Sequence, residues 1–293
     1  MRTRLFAAIA TTSLLLAACG SDDDSTATTG TADASAPAAD PAACAQGKTL
    51  ADGKITIATG EPAFSPWVEN DDPASGEGFE AAVALAVAAK MGLSGDSVTW
   101  IRTTFDEAIQ PGTKNFDFNL QQYSILPERE ANITFSDPYY SAAQALVTFA
   151  DSPLAGATTV AELKDAKLGA AAGTTSLATI ESVIEPSSEA LVYDTNEDAK
   201  AALEANQIDG IIVDLPTAYY IAFAELTNGA VVGQFAANAA TAGDKLAMVL
   251  DKGNSLVGCI NGALAQLTED GTLAGLEATW LAGSTGVPVF AAG

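Results

Sequence analysis

The chain has 293 residues, 13 basic and 37 acidic, a formal net charge of −24 and no histidine. That balance opposes binding to nucleic acid, which rests on Lys and Arg meeting phosphate. The missing histidine excludes Ser-His-Asp and Cys-His nucleophile systems and the usual His-containing zinc sites, while carboxylate acid–base chemistry stays open.

The chain opens with Arg2 and Arg4, an apolar or neutral stretch from Leu5 to Leu16, then Ala17, Ala18 and Cys19. A positive start, a short apolar run and small residues describe a secretory signal over residues 1–18. The run is too short to span a bilayer comfortably, which takes about 20 residues. Leu16-Ala17-Ala18-Cys19 resembles the lipobox of bacterial lipoproteins, which implies that Cys19 becomes a lipidated first residue. From there to residue 43 the chain is mostly Ser, Asp, Thr, Ala and Gly. Such a segment has little to bury and is expected to be a disordered tether.

The remainder alternates strand-like and helix-like stretches. Lys54 to Thr59 reads as a strand, and Phe79 to Met91 as an Ala-rich helix stopped by Gly92. Val98 to Arg102, Phe116 to Leu120 and Gln144 to Phe149 are strand-like. A new unit begins near Asp151-Ser152-Pro153, where Thr159 and Glu162 have capping-box spacing. Then come strand Leu168 to Ala171, a helix from Ser176, strand Leu191 to Tyr193 and a helix from Thr195 to Asn206. Strand Ile211 to Val213 leads through Asp214 into a helical stretch to Leu226. Val231 to Phe235 and strand Lys245 to Leu250 precede two closing helices, Asn254 to Glu269 and Thr272 to Leu281.

Strands alternating with helices indicate an α/β architecture with mainly parallel sheets. Ligands in such sheets bind beyond the carboxyl ends of the strands, where Glu61, Thr174 and Asp214 fall. With Cys19 set aside for lipid, Cys44 and Cys259 remain. In an exported protein an even pair suggests a disulfide, with two buried thiols as the alternative.

Several segments occur in a telling order: Ala58-Thr59-Gly60-Glu61-Pro62-Ala63-Phe64, Gly78-Phe79-Glu80, Phe116-Asp117-Phe118 and Ser124-Ile125-Leu126-Pro127-Glu128-Arg129. Phe135-Ser136-Asp137-Pro138-Tyr139-Tyr140, Gly173-Thr174-Thr175, Ile208-Asp209-Gly210 and Asp270-Gly271-Thr272 follow. Together they resemble the family 3 extracellular solute-binding proteins of the amino acid-binding type, from about Lys48 to Trp280. The resemblance implies a two-lobed periplasmic-binding-protein-like (type II) fold, with a ligand cleft between lobes joined by two hinge strands. Lobe 1 is expected over 44–149 plus 235–293 and lobe 2 over 150–234.

The same resemblance implies the ligand contacts. Arg129 grips the ligand's α-carboxylate, suiting a planar guanidinium that makes two parallel charge-assisted bonds. Ser124 adds a hydroxyl there and Gln122 a backbone group. Asp214 meets the ammonium group, although Asp before Leu215-Pro216 is also a favoured helix cap. Thr174 and Thr175 contribute from the second lobe, Phe64 and Phe105 sandwich the side chain, and Glu61 reaches it. Trp67 reads as lobe packing. Glu61 beside Asp214 favours a polar or basic side chain over an acidic one, unless Arg102 also enters the cleft. Leu126 stands where the family usually has Thr, and Ala82 where an acid is common.

The implied function is the binding component of an ABC importer: a monomer without cofactor, lipid-anchored outside the cell membrane, that takes an amino acid to a membrane permease. A dehydratase-type enzyme on the same scaffold and a ligand-sensing receptor subunit are the alternatives.

Overall fold

In the computed structural model, residues 40–236, 244–281 and 286–291 are described. The expected signal peptide, Cys19 and all but the last few tether residues lie outside them. The tether ends sooner than expected. Pro41–Ala45 is a short helix, α1, because the Asp40 side chain accepts from Ala42 N and Pro41 suits the first helical turn.

Ten strands follow among the described residues: β1 (Ile55–Gly60), β2 (Val98–Thr103), β3 (Phe118–Asn119), β4 (Ile133–Ser141), β5 (Gln144–Phe149), β6 (Leu168–Ala171), β7 (Leu191–Tyr193), β8 (Gly210–Asp214), β9 (Gly229–Gln234) and β10 (Lys245–Asp251). Between and after them lie α2 (Phe79–Lys90), α3 (Phe105–Ile109), α4 (Pro127–Glu130), α5 (Thr175–Thr179), α6 (Asn196–Glu204), α7 (Leu215–Tyr220), α8 (Val257–Glu269) and α9 (Thr272–Trp280). The strands form two five-stranded sheets, β2-β1-β3-β10-β4 in lobe 1 and β7-β6-β8-β5-β9 in lobe 2.

Each sheet is mixed rather than mainly parallel. β1 runs parallel to β2 and β3, whereas β10 is antiparallel to β3 and β4. In lobe 2, β6 is parallel to β7 and β8, and β5 is antiparallel to β8 and β9. The antiparallel strands are those flanking the two crossings between lobes, Ser141 to Gln144 and Gln234 to Lys245. The crossings are stitched together: Ala142 N donates to Asp244 O at 2.9 Å and Phe235 N to Gln144 O at 2.8 Å.

The lobe boundaries shift from those expected. β5, expected in lobe 1, has its ladder partners in sheet two, so lobe 2 begins at Gln144. The tail, expected in lobe 1, also packs on lobe 2. Gln234 N donates to Pro288 O, Phe290 N to Gln234 O and Ala291 N to Thr158 O. The Phe290 ring lies 5.0 Å from that of Phe235. A Cβ on Gly233 would stand 2.7 Å from Phe290, so glycine opens this seat.

The helices bury the sheet faces. α2 is half alanine, the best helix former, and buries Phe79, Val83, Ala84 and Val87 against lobe 1 with Cys259, Ile260 and Leu264 of α8. Gly78 before it has φ +101°, and a Cβ there would lie 2.6 Å from Trp67 O. Cys44 and Cys259 form a disulfide with a Cα–Cα distance of 5.4 Å, tying α1 to α8 across 215 residues of sequence.

Candidate functional site

A cavity of about 390 Å³ opens where the carboxyl ends of β1, β6, β7 and β8 converge on one cleft. All nine residues expected at a ligand site line it. Glu61, Phe64, Phe105, Gln122, Ser124 and Arg129 come from lobe 1, and Thr174, Thr175 and Asp214 from lobe 2.

Arg129 sits in the single turn of α4, after Pro127, and is buried. Its Nη1 donates to Ser124 O at 2.9 Å and its Nη2 to Gly173 O at 2.8 Å, one carbonyl from each lobe. Its guanidinium lies 5.2 Å from the Phe105 ring centre, and that ring stacks on Tyr123 at 4.9 Å. An arginine has five N–H donors, so two bonds leave three for a ligand. Burial pulls its pKa below the ordinary value, opposed by the nearby carboxylates of Glu128, Asp244 and Asp214 and by Tyr123.

Asp214 ends β8 and occupies the cap position of α7, yet its side chain makes no cap bond. Its Oδ1 instead accepts from Gln144 Nε2 at 2.7 Å. The same nitrogen donates to Asp244 Oδ2 at 2.6 Å. Ser176 Oγ donates to Gln144 Oε1 at 2.6 Å, turning the amide nitrogen toward both acids. Burial, then the Asp244 carboxylate, push the Asp214 carboxyl up to about 8; Glu80 adds to this, and Gln144 and Arg129 oppose it.

Gln122 adopts φ +51° and is held by Glu80. Its backbone N donates to Glu80 Oε1 at 2.8 Å and its Nε2 to Glu80 Oε2 at 2.5 Å. The Tyr139 hydroxyl also donates to Glu80 Oε1. Burial lifts the Glu80 carboxyl to about 7, against these three hydrogen bonds.

The remaining expected residues are arranged less uniformly. Ser124 Oγ and Thr175 Oγ1 face each other across the lobes at 3.5 Å. The Thr174 hydroxyl is engaged in its own turn, accepting from Leu177 N and donating to Ala171 O. Glu61 is exposed at the rim. Arg102 is not among the lining residues; it is tied to Asp71 Oδ1 at 2.6 Å and Gly60 O at 2.7 Å. Among the described residues, the cavity therefore has one lining cation, Arg129, against the carboxylates of Glu61, Asp106, Asp194 and Asp214.

Sequence reasoning missed Glu80, Gln144, Asp194 and Asp244. Asp194 follows β7 directly, so the strand-end rule that found Asp214 would have found it. Gln144 and Asp244 lie on the crossings, and only the folded hinge brings them beside Asp214.

A two-lobed α/β protein with a polar cavity in the cleft between lobes joined by two crossings defines a binding scaffold. The chain belongs to the bacterial extracellular solute-binding proteins, family 3, whose model matches residues 55–283. It is 27% identical over 223 residues to the L-cystine-binding protein TcyJ of Escherichia coli K12, covering 75% of this chain and 80% of that one. It is 26% identical over 168 residues to a probable amino-acid ABC transporter periplasmic-binding protein, y4tE, of Sinorhizobium fredii, covering 57% of this chain. That match spans about half, 55%, of the Sinorhizobium protein's length. Among solved structures it resembles an ancestral arginine-binding protein bound to arginine, with TM-score 0.63, 25% identity and coverage of 78% and 98%. It also resembles the ancestral amino acid-binding protein AncCDT-1, a precursor of cyclohexadienyl dehydratase, with TM-score 0.61, 26% identity and coverage of 78% and 95%.

Proposed function

We propose that this chain is the substrate-binding component of an ABC importer and that it holds an amino acid between its lobes. The observation that carries this reading is the opposed pair in one cavity. Arg129 has donors to spare for a carboxylate, and Asp214 offers an acceptor for an ammonium group. Ser124, Gln122, Thr174 and Thr175 supply polar contacts, and Phe64 and Phe105 supply apolar area. A single lining cation against four carboxylates among the described residues supports a polar or basic side chain over an acidic one. Relatives named for arginine and cystine support the same range.

Cys19, in its lipobox-like setting, would carry the lipid that holds the monomer at the outer face of the membrane, near its permease. Several acyl chains on one residue anchor durably where one does not. Replacing Cys19 with Ser should then release the protein from membranes.

The test is thermal unfolding of residues 38–293 against the common L-amino acids, with sugars and dicarboxylates as controls. A ligand at about 100 times its Kd stabilises the folded state by about 2.7 kcal/mol. No shift with any amino acid overturns the reading. A second reading, a dehydratase-type enzyme, draws on an Asp214 carboxyl that holds its proton near neutrality and on the likeness to AncCDT-1. Conversion of a cyclic amino acid precursor on long incubation would favour it; an unchanged mass spectrum would count against it.

A further inference from the structure

Gln144, Asp214 and Asp244 form a unit that the cleft's ordinary contacts do not account for. One amide nitrogen serves two carboxylates, so the bonded oxygens stand no more than about 5 Å apart. Asp244 is 2% exposed, and its other oxygen, Oδ1, is buried without a hydrogen-bond partner among the described residues. Two like charges this close, away from water, do not both stay ionised unless a cation joins them. The groups around Asp214 do not supply one cheaply. β4 and α2 bring Tyr139 and Glu80, and α5 brings the hydroxyls of Thr175 and Ser176. α4 brings Arg129, whose charge favours the ionised form of both acids but whose Nη1 and Nη2 bonds go to the backbone carbonyls of Ser124 and Gly173 rather than to either carboxylate.

Resting on the amino acid reading above, we propose that Asp244 is a positioning residue for Asp214: the pair, held on Gln144 Nε2, shares a proton that the ligand's ammonium group displaces. Ligand capture is thereby coupled to proton release. Asp244 acts through Asp214 because it does not itself line the cavity. Its own carboxyl is raised, chiefly by burial, against side-chain hydrogen bonds with Gln144, Thr175 and Ser124 and the positive charge of Arg129. It also sits on the hinge, where its carbonyl accepts from Ala142 N at 2.9 Å. The charge state of the pair is thus set at the point about which the lobes turn.

Two measurements test this on the purified protein and on Asp244→Asn, which keeps the shape and removes one charge. The first needs no ligand. Potentiometric titration between pH 9 and 6 should show more proton uptake by the wild type than by the variant, by up to about one proton. Superimposable curves overturn the proposal. The second is calorimetry at pH 7.5 with L-arginine, L-glutamine and L-cystine as probes, in buffers of different ionisation heat. A probe that binds should release up to about one proton from the wild type and less than about a third as much from Asp244→Asn. Binding without proton release overturns the pairing and leaves the amino acid reading intact. A titration difference with no binding by any amino acid keeps the pair and overturns that reading instead.

Discussion

The indole Nε1 of Trp67 donates to Thr217 Oγ1 across the cleft at 2.8 Å. Trp67 belongs to lobe 1, where it packs on Phe79 and Tyr140 at 6.1 and 5.9 Å, and Thr217 lies in α7 of lobe 2. Both are buried. The bond exists only while the lobes are together, so Trp67 latches them as well as packing lobe 1. Trp67→Phe keeps an aromatic ring and removes the donor. It should weaken ligand binding about fivefold, the worth of a bond near 1 kcal/mol. Titration calorimetry measures the loss, and small-angle scattering should show a larger radius of gyration at partial saturation. Unchanged affinity would show that the latch contributes nothing to closure.

Arg129 bridges Ser124 O and Gly173 O with two different nitrogens, and a lysine has one. Arg129→Lys should therefore lose both the interlobe bridge and the paired grip on a carboxylate. The expected cost in binding is about 2–5 kcal/mol. Near-native affinity in that variant would remove Arg129 from the ligand's contacts.

The Cys44–Cys259 bridge joins two helices of lobe 1, remote from the cavity lining, and closes a loop of 215 residues that includes the whole of lobe 2. Long loops gain most from such a link in the chain-entropy view. Reduction, or paired Cys44→Ala and Cys259→Ala substitution, should lower unfolding stability by about 2–5 kcal/mol while leaving ligand affinity nearly unchanged. Urea unfolding with and without reductant measures the first, and calorimetry the second.

Glu80 predicts a pH dependence of stability. Its carboxyl rises from 4.5 to about 7 on folding, mainly by burial. Between those values the folded state binds more protons than the unfolded chain, so stability is fully present below about pH 4.5 and falls as pH rises toward 7. The rise corresponds to about 3 kcal/mol over the window. Glu80→Gln removes that titration. The variant's stability, measured by urea unfolding from pH 4.5 to 8, should decline by about 3 kcal/mol less than that of the wild type. Parallel curves would show that Glu80 ionises normally.

What was readable in the sequence follows from how local each feature is. Asp214 was visible because it directly ends the apolar run Ile211 to Val213, and β8 stops there. The helix expected from Phe79 became α2 because its alanines and buried spacing act over a few turns. β4 was recognised only as a motif, since Asp137 and Pro138 interrupt its pattern. Proline is tolerated there because β4 is an edge strand whose ladder to β10 is irregular near Ala247. Arg129 gave no local signal at all and was identified through resemblance to a family. Asp244 was beyond either route: it meets Asp214 only after β5 and β10 have been placed in different sheets.

The tail between Gly286 and Ala291 lies on lobe 2, whereas α1, at the other described end, is bonded covalently to lobe 1. The two ends of the folded chain are thus handles on opposite jaws. Probes attached near Asp40 and Ala291 would read jaw separation directly, without touching the cleft. If Cys19 tethers the first jaw to a membrane, the second is the one free to swing, and ligand capture becomes a movement of lobe 2 against a moored partner.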